Sequence, residues 1–228
     1  MGGRGSSSMT ANQPFSVNSE MDNIKLYQSY GYHEPDSDTE ESLFLWSRGD
    51  YHQAMRQAQA EQKDKFAKLM KDFEAGRFDD EWTRDKVIDL YNKKLRMNVE
   101  NPGSLYRADQ IEKWVSESPN FTGTIYRGLE QGSWDYTQLA GKKVGESVTF
   151  KSLTSWSHYD SNAFSHTVSQ SGEKQKRVKL VSQGSRHNNA PIAKYSANLE
   201  GEVLVSGSES FKIAKITETK DEIRYYLK

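Results

Sequence analysis

A chain of 228 residues with 31 basic and 32 acidic side chains, for a formal net charge of −1, has no global basic excess to draw it onto nucleic acid and no acidic block that reads as a disordered tail. It contains no cysteine, which excludes disulfides, thiolate nucleophiles and cysteine-ligated zinc; its five scattered histidines show no HExxH pattern that would hold a metal. Only 34% of residues are apolar, but 11% are aromatic, so a core built on large rings can be substantial beneath a polar surface. The length suits one domain, or one domain with an appendage. No stretch approaches the ~20 apolar residues of a membrane-spanning helix. The opening residues lack the apolar segment of a signal peptide, so a cytoplasmic location is expected.

Residues 1–20, rich in Gly, Ser and Asn, are expected to form a flexible tail ahead of a single domain over 21–228. Residues 21–118 read as a helical lobe. Glu40 to Lys71 carries Leu43, Trp46, Tyr51, Met55, Phe66, Leu69 and Met70 at roughly helical spacing and is expected to be one helix region, with Gly76 as its stop. A second helix fits Asp80 to Met97. After the break at Asn101-Pro102-Gly103, a third is expected to start with Ser104 as its cap. From 119 to 228 the texture becomes β-rich, with runs at Gly123–Leu129, Glu146–Phe150, Val178–Val181, Glu202–Val205, Phe211–Thr217 and Ile223–Leu227. The class is α+β. The basic run Lys174 to Lys179 reads as a solvated strand edge. Gly141 to Ser147 has the residue types of a phosphate loop without its spacing, and reads as a turn into a strand. His158, His166 and His187 read as surface residues.

Three motifs bear on chemistry. In Thr124-Ile125-Tyr126-Arg127-Gly128-Leu129, a strand arginine either faces water at a sheet edge or grips a pyrophosphate with two parallel hydrogen bonds, the glycine letting a ligand approach the backbone. In Phe150-Lys151-Ser152-Leu153-Thr154-Ser155-Trp156-Ser157, hydroxyls near a strand end either make local turn bonds or orient a ligand or a carboxylate. In Leu199-Glu200-Gly201-Glu202-Val203-Leu204-Val205, strand alternation would point Glu200 and Glu202 into one cleft, a pairing suited to breaking glycosidic bonds; the competing reading leaves Glu200 in a preceding loop with both carboxylates solvated.

The order of these motifs, with Phe211-Lys212-Ile213 closing the series, resembles the Arg-Ser-Glu class of mono-ADP-ribosyltransferases, in particular bacterial and phage-encoded members. The resemblance runs from about Leu105 to Ile216. It implies a helical lobe followed by two packed, mostly antiparallel sheets around an NAD cleft. It also implies that NAD is the ADP-ribose donor, with no metal. Arg127 would meet the NAD phosphates and ribose, and Gly128 the nicotinamide amide. Ser155 would support the catalytic Glu202, which holds the nicotinamide-ribose 2′-hydroxyl. Glu200 would mark an arginine acceptor, in a host protein for a phage-encoded or effector enzyme, with nucleic acid also open as acceptor and no membrane involved. Trp156 departs from the family's Ser-Thr-Ser and is tolerable there if it points away from the cleft, as alternation predicts. The alternatives are an NAD glycohydrolase, with water as acceptor, and a non-enzymatic virion or interaction protein retaining the fold. The loop Arg186-His187-Asn188-Asn189 either contacts a ligand or is plain surface.

Overall fold

The structure, a computed structural model, describes residues 33–163, 175–192, 195 and 201–228. The expected tail 1–20, His166 and Glu200 lie outside the described residues. Helix α1 (Ser37–Trp46) starts where the Asp36 carboxylate accepts the Thr39 N–H at 2.8 Å. The single helical run expected over 40–71 is in fact two helices. The Ser47 hydroxyl bonds the Phe44 carbonyl at 2.6 Å, Arg48 is extended, and α2 (Gly49–Glu74) sets off anew.

Helix α3 (Arg84–Leu90) begins later than expected, because Thr83 caps it, and its last turn widens to a π-type turn over Tyr91–Leu95. The cap of α4 (Pro102–Glu117) is Asn101, whose side chain accepts the Ser104 N–H at 3.0 Å; Ser104 is already inside the helix, and Pro102 occupies the first turn, where its missing N–H costs nothing. No helix among the described residues is long and apolar enough to cross a membrane.

The strands are β1 (Thr124–Leu129), β2 (Ser147–Thr149), β3 (Thr154–Ser157), β4 (Arg177–Gln183), β5 (Asn189–Pro191), β6 (Glu202–Val205), β7 (Ser210–Glu218) and β8 (Glu222–Leu227), with a short helix α5 (Trp134–Thr137) between β1 and β2. They hydrogen-bond in the order β2-β7-β8-β4-β1-β3-β6-β5, all antiparallel except β4 with β8. The order folds back on itself. Trp156 of β3 stacks on Phe211 of β7 at 5.5 Å although three strands lie between them, and Phe150 meets the same ring at 5.7 Å. This gives the expected α+β architecture of packed, mostly antiparallel layers. Ile125, Leu129, Val178, Leu180, Val203 and Ile213 fill the space between the layers. The outer face of β6 and β5 takes the helical lobe: Leu43, Trp46, Met55, Ile111 and Trp114 pack on Ala190, Ile192 and Leu204. Burying each such side chain is worth about 1.5–3 kcal/mol.

Two strands depart from expectation. Thr154 to Ser157 is not among the β runs expected from sequence, but Thr154 and Trp156 bury to 1% and 2% exposure while Ser155 faces the other way, the period of a strand and the alternation expected for Trp156. Strand β5 ends on Pro191, which the edge of a sheet tolerates because no neighbour needs its N–H. Of the basic run, Lys174 lies outside the described residues and Lys176 and Arg177 are solvated as expected, but the strand it enters is not an edge. Strand β4 lies between β8 and β1, and buried Lys179 donates to the Asp160 carboxylate at 2.6 Å. Gly141 and Gly145, with φ of 77° and 94°, make the expected turn into β2.

Candidate active site

Gly201, with φ of 61°, sits in the left-handed region, and its carbonyl accepts from the His158 N–H at 3.1 Å and meets the His158 imidazole at 2.9 Å. Strand β6 starts at Glu202, and the pairing expected of Glu202 with Glu200 falls on a residue outside the described ones. A Cβ on Gly201 would fall 2.5 Å from His158 Nδ1 and 2.8 Å from Tyr159 Cδ2. Gly201→Ala is expected to destabilise the fold by at least about 1–2 kcal/mol from backbone strain alone, and to lower activity through displacement of Glu202. Thermal unfolding checks this; a melting temperature equal to wild type would contradict the left-handed turn.

Within β6, Val203 and Val205 enter the inter-layer core, so Glu202 and Leu204 face the helical lobe. Glu202 is 3% exposed. The Ser155 hydroxyl, one strand away on β3, donates to Glu202 Oε1. The Trp46 indole N–H, at the end of α1, lies 3.2 Å from both Ser155 Oγ and Glu202 Oε1. Ser157, directly opposite Glu202 in the register, accepts the Tyr159 N–H at 3.0 Å. Trp156 points into the core and donates its indole N–H to Thr154 at 2.9 Å, so its bulk does not reach the Glu202 face.

Arg127 is not at a sheet edge. Strand β1 lies between β4 and β3, and Arg127 shares the inward face with Ile125 and Leu129 at 6% exposure. Its guanidinium pairs with Asp135 of α5 and donates to the Ser155 carbonyl at 3.0 Å. Its Nε has no hydrogen-bond partner among the described residues. Arg56 of α2 holds both Asp135 oxygens at 2.7 Å and donates from Nε to Ser152 Oγ at 3.0 Å and the Leu153 carbonyl at 3.1 Å. Burial pushes the Arg127 guanidinium down to about 10, against the opposing pull of Asp135. For Asp135, burial alone would raise the carboxyl, but the Arg127 and Arg56 charges outweigh it and hold the group below its usual range. Gly128 is half-buried, across from Lys179 of β4.

Arg127, Ser155 and Glu202 are thus joined in series: guanidinium to β3 carbonyl, β3 hydroxyl to carboxylate. Sequence reasoning missed Trp46, Arg56 and Asp135. Trp46 reads as one more apolar residue of a helix, and nothing local marks Asp135 as more than a first-turn acid behind the Ser133 cap. The histidines also differ from expectation. His187 is buried, its Nε2 2.7 Å from Ser182 Oγ, and burial pushes its imidazole down against the opposing effect of Glu209. His158 is half-buried against Gly201. In the loop 186–189, Asn189 is fully buried: it accepts the Phe121 N–H at 2.9 Å and donates to the carbonyls of Gly184 and His187 at 2.7 and 2.8 Å. That loop ties β5 to the start of β1.

No protein-family model matches the sequence, and no curated protein matches it. Solved structures do match. The Vis toxin, an ADP-ribosyltransferase from Vibrio splendidus, is similar over 95% of this chain and 87% of its own, with a TM-score of 0.57 at 17% identity. Vis in complex with an inhibitor gives a TM-score of 0.61 at 16% identity, over 95% of this chain and 86% of that one. An ADP-ribosyltransferase from Clostridium botulinum gives 0.53 at 12% identity, over 94% of this chain and 96% of its own. This chain has the fold of the bacterial mono-ADP-ribosyltransferases.

Proposed function

We propose that the protein is an NAD-dependent mono-ADP-ribosyltransferase acting on an arginine side chain of an acceptor protein. The observation that carries this reading is the buried Glu202 carboxylate at the start of β6, oriented by the Ser155 hydroxyl within this fold. A fixed carboxylate in water-poor surroundings is suited to a transition state in which positive charge grows on a sugar. As the ribose C1′–nitrogen bond breaks, its electron pair leaves with nicotinamide, which becomes neutral, and no general acid is needed. Glu202 opposes the growing sugar charge through the 2′-hydroxyl. Arg127 is assigned to the donor's phosphates and Gly128 to the nicotinamide amide.

The acceptor guanidinium, protonated at neutral pH because its pKa exceeds about 12, forms the new C1′–nitrogen bond and loses one proton. Glu200 takes that proton in this scheme. A guanidine acceptor is in keeping with the neighbouring Vis structure in complex with agmatine, itself a guanidine. Glu200→Gln is expected to keep NAD cleavage and to lose transfer to arginine. Strong arginine labelling by that variant would sink the role given to Glu200.

The test of the whole reading is incubation of the protein with labelled NAD and a cell lysate, beside a Glu202→Ala control, followed by mass spectrometry of modified residues. ADP-ribosyl-arginine formed only by the wild type supports it. Nicotinamide release with no labelled macromolecule would make the protein a glycohydrolase instead.

A further inference from the structure

Trp46 is fully buried at the last residue of α1, packed with Leu43 and Met55 and edge-on to the His52 ring at 5.8 Å. Its one polar atom is an N–H that can only donate. That N–H lies 3.2 Å from Ser155 Oγ and 3.2 Å from Glu202 Oε1, two atoms that are hydrogen-bonded to each other. The three groups form a closed ring whose proton directions are determined. The indole proton is shared between the hydroxyl and carboxylate oxygens. The serine proton cannot point back at the indole, so it goes to Oε1, which then receives two donors. Two donors meeting one carboxylate oxygen anchor that oxygen and narrow the orientations open to the carboxylate.

We infer that Trp46 is a positioning residue for the reaction proposed above: the helical lobe reaches over the sheet and, through the indole N–H, locks Glu202 in its working orientation. The break at Ser47–Arg48 belongs to this device. It ends α1 at Trp46, and the chain then returns as α2, whose Arg56 holds Asp135 and, through it, Arg127 behind the Ser155 strand. The carboxylate is therefore oriented by the lobe directly on one side of β3 and by the lobe through Asp135 and Arg127 on the other. The inference rests on the transferase reading, since positioning has meaning only for a reaction that uses Glu202.

The test separates the contact from its consequence. Two variants are made: Trp46→Phe, and a site-specific exchange of Trp46 for benzothienylalanine, which keeps the ring size and replaces N–H by sulfur. The indole N–H resonance of Trp46, assigned by its loss in the phenylalanine variant, is expected to exchange slowly with solvent and to move in Glu202→Gln. Unmoved and fast-exchanging, it would overturn the contact whatever the activity. For NAD cleavage, the isostere is expected to lower kcat at least about tenfold, the loss of one hydrogen bond to a charged group, with KM for NAD unchanged. A folded isostere cleaving at the wild-type rate would overturn the positioning role, leaving the indole as packing alone. A resonance that moves in Glu202→Gln, in a protein whose wild type cleaves no NAD, would overturn the transferase reading, and with it the positioning role, while leaving the contact established.

Discussion

Glutamine in place of Glu202 is expected to cut NAD cleavage by about 10²–10³-fold, the usual cost of removing one preorganised electrostatic stabiliser. The substitution is close to isosteric. The amide oxygen of glutamine can still accept from the Ser155 hydroxyl and the Trp46 indole, the two donors that meet Oε1. Only the negative charge is removed. Hydrogen bonds to a neutral acceptor are weaker than to a charged one, so a stability loss of about 1 kcal/mol is expected, too small to unfold the protein. The loss should fall on kcat rather than on KM for NAD, because the charge matters most when the sugar becomes cationic. Single-turnover nicotinamide release, beside a thermal melt, measures both. A folded glutamine variant cleaving NAD within tenfold of wild type would show that Glu202 is not the central carboxylate.

Asparagine in place of Asp135 is expected to be the most destabilising change at the site. Asp135 is fully buried between the guanidinium groups of Arg56 and Arg127. Removing its charge leaves two buried cations without a counter-ion, a loss of the kind that costs about 3–5 kcal/mol. In a chain of this size that lowers the melting temperature by roughly 10 °C. The same group contributes to acid sensitivity. The folded state holds the Asp135 carboxyl below its usual range, so the unfolded chain takes up this proton more readily. Its contribution to stability is fully present above the unfolded pKa of about 4 and is lost as pH falls through the lower folded value. Calorimetry across the acid range should show wild type losing stability there more steeply than the asparagine variant. Equal slopes and equal melting temperatures would mean the triad does not carry a buried charge.

The consequence for activity runs through β3. With Asp135 neutral, Arg127 loses the partner that orients its guanidinium toward the Ser155 carbonyl, and Ser155 is the residue that holds Glu202. The asparagine variant should therefore be less active even at temperatures where it is folded.

Much of this molecule was legible from local pattern. Strand β6, buried at every position, was bounded at Glu202 and Val205 by its apolar run, and β1 by its alternation of buried and half-buried residues. Strand β3 was hidden, since its buried residues are a threonine and a tryptophan among serines, and hydroxyls read as turn formers when burial is unknown. The break between α1 and α2 was hidden for a related reason. A serine hydroxyl that bonds its own helix carbonyl ends a helix in one context and is carried by it in another.

By itself the sequence determined the α+β class and the order of helical and β-rich parts, and it singled out Arg127, Ser155 and Glu202, which the structure joins through hydrogen bonds, since residue types and their order along the chain are all that such a reading needs. Only the tertiary structure decided what surrounds them. Trp46, Arg56 and Asp135 lie 156, 96 and 79 positions from the partners they meet at Glu202, Ser152 and Arg56, and no local pattern encodes contacts at that separation. Whether an indole N–H is buried beside apolar neighbours or beside a carboxylate depends on which helix the sheet receives, and that is settled only when the lobe docks on β5 and β6.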